Sequence, residues 1–158
     1  TTRSFDLNYR AKLWDPETAR AAYEDLFEHV DTLFVPRRDA REVLDREGGA
    51  VEIAHGLATE FGFDTVVVTR GLEGAVALHD GSVYEQDVYE AETFDAIGTG
   101  DAFVAGYVAE RLRGGDLPAA LRWAAATAAL KRTTDGDLAV TTRAEVRDVI
   151  DGEGGIDR

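Results

Sequence analysis

Hydrophobic positions along the chain switch repeatedly between a short period and a helical one. Ser4 to Tyr9 reads as a short strand. Asp15 then stands as an N-cap before Pro16 at the first helical position, and Ala19, Ala22, Tyr23, Leu26, Phe27 and Val30 recur at helical spacing. Thr32 to Val35 predicts a second strand, Asp39 to Arg46 a short helix ended by Gly48-Gly49, and Val51 to Phe61 a longer helix stopped by Gly62. In that longer helix Leu57, Ala58 and Phe61 share one face. Thr65 to Thr69 contains Val66-Val67-Val68 without alternation, the pattern of a central parallel strand covered on both faces. Gly74 to Leu78 and Ser82 to Gln86 flank Asp80-Gly81, a hairpin signal. Ala102 to Ala109 is apolar all round for two turns, which predicts a buried helix running on to Arg113 and a Gly114-Gly115 break. An alanine-rich helix from Pro118 to Lys131 follows, and a last helix begins at Thr142, where Glu145 completes a capping box. Strands alternating with helices imply a three-layer α/β fold whose ligand lies outside the carboxyl ends of the strands.

Composition narrows the class. With 158 residues, 44% of them hydrophobic, the chain is long enough for one domain with a proper core. It contains no run of about 18 apolar residues and no basic start followed by an apolar stretch, so a cytoplasmic location is expected, with no membrane partner. It has no cysteine, which removes disulfides and thiolate metal sites, and His29, His55 and His79 are too scattered to form a zinc cluster. Charge is lopsided: 31 acidic residues face 17 basic ones, a net of −14, and Lys12 and Lys131 are the only lysines. Such a surface repels nucleic acid and anionic membranes. The acids are spread over helix faces, as at Glu17, Glu24, Asp25 and Glu28, rather than gathered in a tail.

Chemistry concentrates in Asp95-Ala96-Ile97-Gly98-Thr99-Gly100-Asp101, which runs straight into the apolar helix. Gly98 and Gly100 let the backbone turn and approach a ligand. The N–H groups of Thr99, Gly100 and Asp101 are expected at the helix's first turn, where amides lack intrahelical partners and the dipole favours an anion such as phosphate. Asp101 then places a carboxylate beside that phosphate, able to accept a hydroxyl proton. The bland reading is a structural turn with Asp101 as a cap, and for a bare G-x-G-D it would win. The apolar helix behind the loop tips the balance toward a site. The Walker loop is absent, and Phe103 stands where a dinucleotide fingerprint has its third glycine.

Asp95 to Val108 resembles the carboxy-terminal signature of the ribokinase-like, or PfkB, carbohydrate kinases, D-[ST]-x-G-A-G-D before a small-residue helix. Ala96 and Thr99 depart from it, at positions usually held by a hydroxyl residue and alanine, but neither removes a backbone amide or the base. The resemblance implies a ribokinase-like fold with a mostly parallel central sheet and helices on both faces. It also implies ATP as phosphate donor, Mg²⁺ arriving with it, Gly98, Thr99 and Gly100 as the anion hole and Asp101 as the base. Thr69-Arg70-Gly71-Leu72-Glu73-Gly74 is similar to the family's nucleotide-contacting T-x-G-x-x-G, so Thr69, Arg70, Gly71, Glu73 and Gly74 are expected at the nucleotide.

Asp6-Leu7-Asn8-Tyr9-Arg10, with Leu13-Trp14, resembles the D-x-N-x-R-x-x-L-W pattern of 2-keto-3-deoxygluconate kinases within the family. It implies Asn8 near the nucleotide phosphates and Arg10 on the substrate, a guanidinium fork being suited to a sugar-acid carboxylate. A surface salt bridge for Arg10 and core packing for Trp14 are the plain alternatives; function is preferred for Arg10 and packing for Trp14. Gly136-Asp137 is similar to the segment whose aspartate reaches the substrate in those enzymes. The family's N-x-x-E magnesium motif is missing, Pro36-Arg37-Arg38-Asp39 standing in its place, so the metal's protein ligands are unassigned.

The expected activity is ATP-dependent phosphorylation of a sugar-acid hydroxyl, foremost 2-keto-3-deoxygluconate to its 6-phosphate. A kinase of the same family for ribose, fructose or a nucleoside, or an inactive nucleotide-binding fragment, stays open, as does homo-oligomerisation. The resemblance covers only the carboxy-terminal half of the family, without the first βα units, the Gly-Gly hinge or the lid, so residues 1–158 are expected to phosphorylate poorly alone. A high-salt environment accounts for the charge, because salt screens self-repulsion. The melting temperature is therefore expected to rise as salt is raised to the molar range, measured by differential scanning fluorimetry; greatest stability in dilute buffer is the contrary result.

Overall fold

The computed structural model describes residues 1–152, and the chain packs as two compact units, residues 1–85 and the remainder from Gln86. The first unit carries strands β1 (Ser4–Asp6), β2 (Thr32–Pro36), β3 (Thr65–Thr69), β4 (Ala75–His79) and β5 (Ser82–Gln86), which form one sheet in the order β1-β2-β3-β4-β5. Helices α1 (Pro16–Phe27), α2 (Arg37–Glu42) and α3 (Ala50–Phe61) connect the parallel strands. β1 pairs in parallel with β2, and β2 with β3, in the register Phe34 to Val67. β3 meets β4 in antiparallel register, Val67 opposite Ala77, so it is parallel to one neighbour only. Only residues 70–74 join β3 to β4, too few for a crossover.

Local chemistry sets most boundaries of this unit. The Asp15 carboxylate accepts the Thr18 N–H at 2.9 Å and caps α1 behind Pro16. Gly62 takes φ +76° and stops α3. Asp80 and Gly81 both have positive φ, the two-residue turn of a twisted hairpin. β1 is shorter than its apolar pattern: the Leu7 N–H still reaches the Phe34 carbonyl at 3.0 Å, but Asn8 at φ +42° turns the chain away. α2 starts and ends earlier than predicted, running directly off β2 and stopping before Asp45, whose φ of +53° is incompatible with a helix. Leu33, Val35, Val66, Val68, Val76 and Leu78 face a core completed by Tyr23 and Phe27 of α1 and Ile53, Ala54 and Leu57 of α3. Phe34, Val67 and Ala77, on the opposite face, are buried as well, which explains the unalternating valines.

The second unit holds α4 (Thr99–Leu112), α5 (Leu117–Arg132) and α6 (Arg143–Asp151). α4 and α5 are joined by four residues and pack as an antiparallel helical hairpin. Asp116 caps α5, and Thr142 with Glu145 forms the expected capping box on α6. α4 is not buried all round: it buries Ala102, Phe103, Gly106, Tyr107 and Glu110, while Ala105 and Ala109 are exposed. Alanines on the outer face lose little by meeting water, so a uniformly apolar sequence does not demand a fully covered helix. Arg143 ties α6 to both neighbours, bonding Glu110 at 2.9 Å while lying 3.9 Å from the centre of the Trp123 ring. Among the described residues no helix is long and apolar enough to cross a membrane.

α4 and α5 approach closely at Gly106, where a Cβ would lie 2.7 Å from Thr127 Oγ1 and 2.8 Å from the Trp123 carbonyl oxygen. Gly106→Ala is expected to destabilise the fold, since overpacking of about 1–3 kcal/mol outweighs the gain of about 1 kcal/mol in helix propensity. Gly56→Ala, in α3 with nothing within 4 Å of the added carbon, is expected to stabilise by about 0.5–1 kcal/mol. Urea unfolding of the two variants checks the opposite signs.

Candidate active site

The glycine loop forms the entrance to α4. Asp95 begins it as an Asx turn, its Oδ1 accepting the Ile97 N–H at 2.9 Å. Its own N–H, and that of Phe94, donate to the Arg132 carbonyl at the end of α5, at 3.1 and 2.8 Å. Gly98 has φ +78°, which favours glycine, and its carbonyl accepts the Ala102 N–H at 2.9 Å as the first helical bond. A Cβ on Gly98 would collide with the backbone carbonyl of Asp137, so only glycine lets the two loops touch. The structure therefore brings Gly98, Thr99, Gly100, Asp101 and Asp137 to one end of the α4–α5 hairpin.

One expected donor differs. The Thr99 N–H and hydroxyl both turn back to the Ala96 carbonyl, at 3.3 and 2.7 Å, closing the loop on itself. That leaves Gly100 and Asp101 as the first-turn amides without an acceptor among the described residues. Asp101 is the third helical residue rather than the cap, and it is exposed, as is Asp137. First-turn amides with no acceptor among the described residues can hold an anion at the head of this 14-residue helix, and the exposed carboxylate beside them can take a proton from a neighbouring hydroxyl.

In the first unit the carboxyl ends of β2 and β3 frame a concavity of about 730 Å³, lined by Arg37, Arg38, Arg41, Thr69, Arg70 and Gly71 among others. Gly71 and Gly74 have positive φ and fold the segment after β3 into a single tight turn, with the Arg70 N–H on the Gly74 carbonyl at 2.8 Å. Glu73 is taken up by Arg37 in a two-pronged pair at 2.6 and 3.1 Å, which holds its carboxyl below the usual range. Arg70 reaches Glu85 at 3.4 Å, while its buried Nε has no acceptor among the described residues. Four arginines around one hollow are unexpected in so acidic a chain. Arg37, Arg38 and Arg41 were legible only as the place where a magnesium motif is missing; their crowding in sequence was the available signal.

Asn8 and Arg10 are exposed on the turn that ends β1, Asn8 in the left-handed region. Arg10 makes no ion pair among the described residues, its guanidinium touching only the Tyr9 carbonyl at 3.3 Å. Trp14 packs edge-on against Tyr23 with ring centres 5.3 Å apart, the core role expected of it. Among the described residues no group of three or more His, Cys, Asp or Glu stands together to hold a metal, so magnesium's protein ligands stay unassigned.

Comparison with known proteins gives the family and the fold. The 2-dehydro-3-deoxygalactonokinase of Haloferax volcanii is 55% identical over 159 residues, covering all of this chain and 50% of the relative. The 2-dehydro-3-deoxygluconokinase of Thermoproteus tenax is 35% identical over 137 residues, 85% of this chain and 42% of the relative. Among solved structures, the 2-dehydro-3-deoxygluconokinase of Thermotoga maritima superposes with a TM-score of 0.87 at 29% identity, over 96% of this chain and 50% of that one. An Escherichia coli structure described as a ribokinase II in complex with ATP and Mg²⁺ gives 0.85 at 27% identity, over 96% and 49%. The chain thus spans about half the length of the relatives it matches. Residues 1–143 match the model of the pfkB family carbohydrate kinases, and the chain belongs to that family.

Proposed function

We propose that this chain is the carboxy-terminal, nucleotide-binding and phosphate-transferring half of an ATP-dependent kinase acting on a hydroxyl of a 2-keto-3-deoxy sugar acid. The observation that carries the reading is the head of α4, where the Gly100 and Asp101 amides have no acceptor among the described residues and stand next to the Asp101 carboxylate. The transition state of phosphoryl transfer is loose and its charge sits on the transferring oxygens, so the protein's task is to position groups and neutralise charge. The two amides and the helix dipole serve the transferring phosphate, while Asp101 accepts the proton of the attacking hydroxyl as the new P–O bond forms. ADP leaves with the electrons of the broken bond.

The arginine-lined hollow supports nucleotide binding in the first unit, with Thr69, Arg70 and Gly71 in its lining and Gly74 closing the turn that carries them. Glu73 acts there through Arg37, and Asn8 serves the nucleotide phosphates. Mg²⁺ is assigned to the phosphates of ATP, where it neutralises charge; no residue of this chain is given to it. Arg10, without an ion pair, is suited to the substrate carboxylate, and Asp137, held against Gly98, to a substrate hydroxyl. The Asp6 to Trp14 pattern favours 2-keto-3-deoxygluconate, phosphorylated at its terminal 6-hydroxyl. The 55% identity to a relative named for the galactonate epimer makes that acid the other candidate.

A chimaera joining this chain to the half of the Haloferax volcanii relative that it does not match is expected to transfer phosphate from ATP to one of the two acids in a coupled ADP assay. Asp101→Asn in that chimaera is expected to lower kcat by roughly 10²–10⁴ while nucleotide binding, measured by calorimetry, is retained. Normal turnover in the variant would overturn the base assignment. Turnover only on ribose, fructose or a nucleoside would overturn the substrate, and ATP binding without transfer to any acceptor would leave a nucleotide-binding module.

A further inference from the structure

The second unit buries a cation for which the chemistry above has no use. Lys131, near the end of α5, is fully buried, at 0% exposure, yet it makes no ion pair among the described residues. Its ammonium donates to two neutral acceptors, the carbonyl oxygens of Asp95 and Thr134, each at 3.3 Å. Both bonds are long for a charged donor, for which about 2.7–2.9 Å is usual. Three N–H groups share two acceptors. The carboxylates of Asp95 and Asp135 accept the Ile97 and Gly136 N–H groups, and neither forms an ion pair with Lys131 among the described residues. A charge taken out of water without a counter-charge is strongly disfavoured, and an apolar side chain of the same length would fill this space without that penalty.

The two carbonyls are informative in themselves. Asp95 opens the glycine loop, and Thr134 lies in the turn between α5 and Asp137. Lys131 therefore bridges the two loops whose meeting point is Gly98 against Asp137. The neighbouring Arg132 adds to the same seam, its carbonyl accepting from Phe94 and Asp95 and its guanidinium donating to the Tyr89 carbonyl at 3.1 Å.

We propose that Lys131 is a positioning residue of the phosphate site: it holds the Asp95 and Thr134 loops together, and the positive charge it buries is balanced by the anion that the Gly100 and Asp101 amides receive. The inference rests on reading that loop as the phosphate site. It makes the apo unit less stable than an apolar residue would, and it makes anion binding stabilise the unit by more than the amides alone provide. The buried charge also favours the extra negative charge that develops on the transferring oxygens.

The test pairs an anion readout on the chain with kinetics on the chimaera. At constant ionic strength, inorganic phosphate is expected to raise the melting temperature of the unaltered chain relative to chloride. Lys131→Met is expected to melt as high as the unaltered chain, or higher, in chloride and to lose the phosphate increment; Lys131→Arg, which keeps the charge, is expected to restore it. In the chimaera Lys131→Met is expected to lower kcat by about 10²-fold with KM for the sugar acid unchanged, comparable to the loss of one anion-hole donor. No phosphate increment in the unaltered chain, an increment that survives Lys131→Met, or a Met variant that melts lower equally in both salts or does not fold would each overturn the proposal. If the chimaera transfers no phosphate at all, the kinase reading fails and the phosphate increment alone decides the role of Lys131.

Discussion

The close approach of α4 and α5 is the constraint on which the candidate active site depends. Two glycines of α4's sequence set it: Gly106, with no room for a Cβ beside Thr127 and Trp123, and Gly98, with none beside the Asp137 backbone. Both contacts lie along one antiparallel hairpin, so together they fix how far α4 slides along α5 and at what distance the two loops stand. A larger residue at either place would separate the helices and carry the Asp101 amide and carboxylate away from Asp137. The Arg143 clasp on Glu110 and Trp123 secures the other end, where the hairpin connection would otherwise fray.

Electrostatics divides the molecule into a surface and two exceptions. The acids stay outside, where water solvates them and salt screens them. The arginines converge where α2 leaves β2 and the turn leaves β3, and the pairs they form with Glu73 and Glu85 are exposed and contribute little to stability. What those pairs do is hold the guanidinium groups around the hollow. The second exception is Lys131, buried with two carbonyl oxygens as its acceptors among the described residues. Both exceptions concentrate positive charge in an otherwise acidic chain, and both are costly or indifferent to folding, which is why the proposed anion chemistry is assigned to them.

Signals confined to a few residues could be read directly. The Asp15 cap, the Asp80-Gly81 turn, the Gly62 stop and the Thr142 capping box each act through neighbours within four positions, and each stands where its pattern put it. Three readings shifted because a distant or non-periodic feature decided them. Asn8 ends β1 by its backbone conformation although Leu7 and Tyr9 are both buried. Asp45 ends α2 in the same way. β3 gains an antiparallel partner because the chain after it is too short to cross over. At the site, Asp101 and its glycines were visible as a motif, but the withdrawal of the Thr99 amide to the Ala96 carbonyl was not, since that bond depends on how tightly the loop closes.

By itself the sequence determined which elements form, which loop can carry an anion and a base, and that the chain resembles the carbohydrate kinases, because caps, turns and glycine spacing are local properties of the backbone. Only the tertiary structure decided that Asp137 meets Gly98, that four arginines share one hollow and that Lys131 is buried with no ion pair among the described residues. Each of those facts joins residues from different elements, up to 39 positions apart for Gly98 and Asp137, and it is packing, not periodicity, that brings such residues into contact.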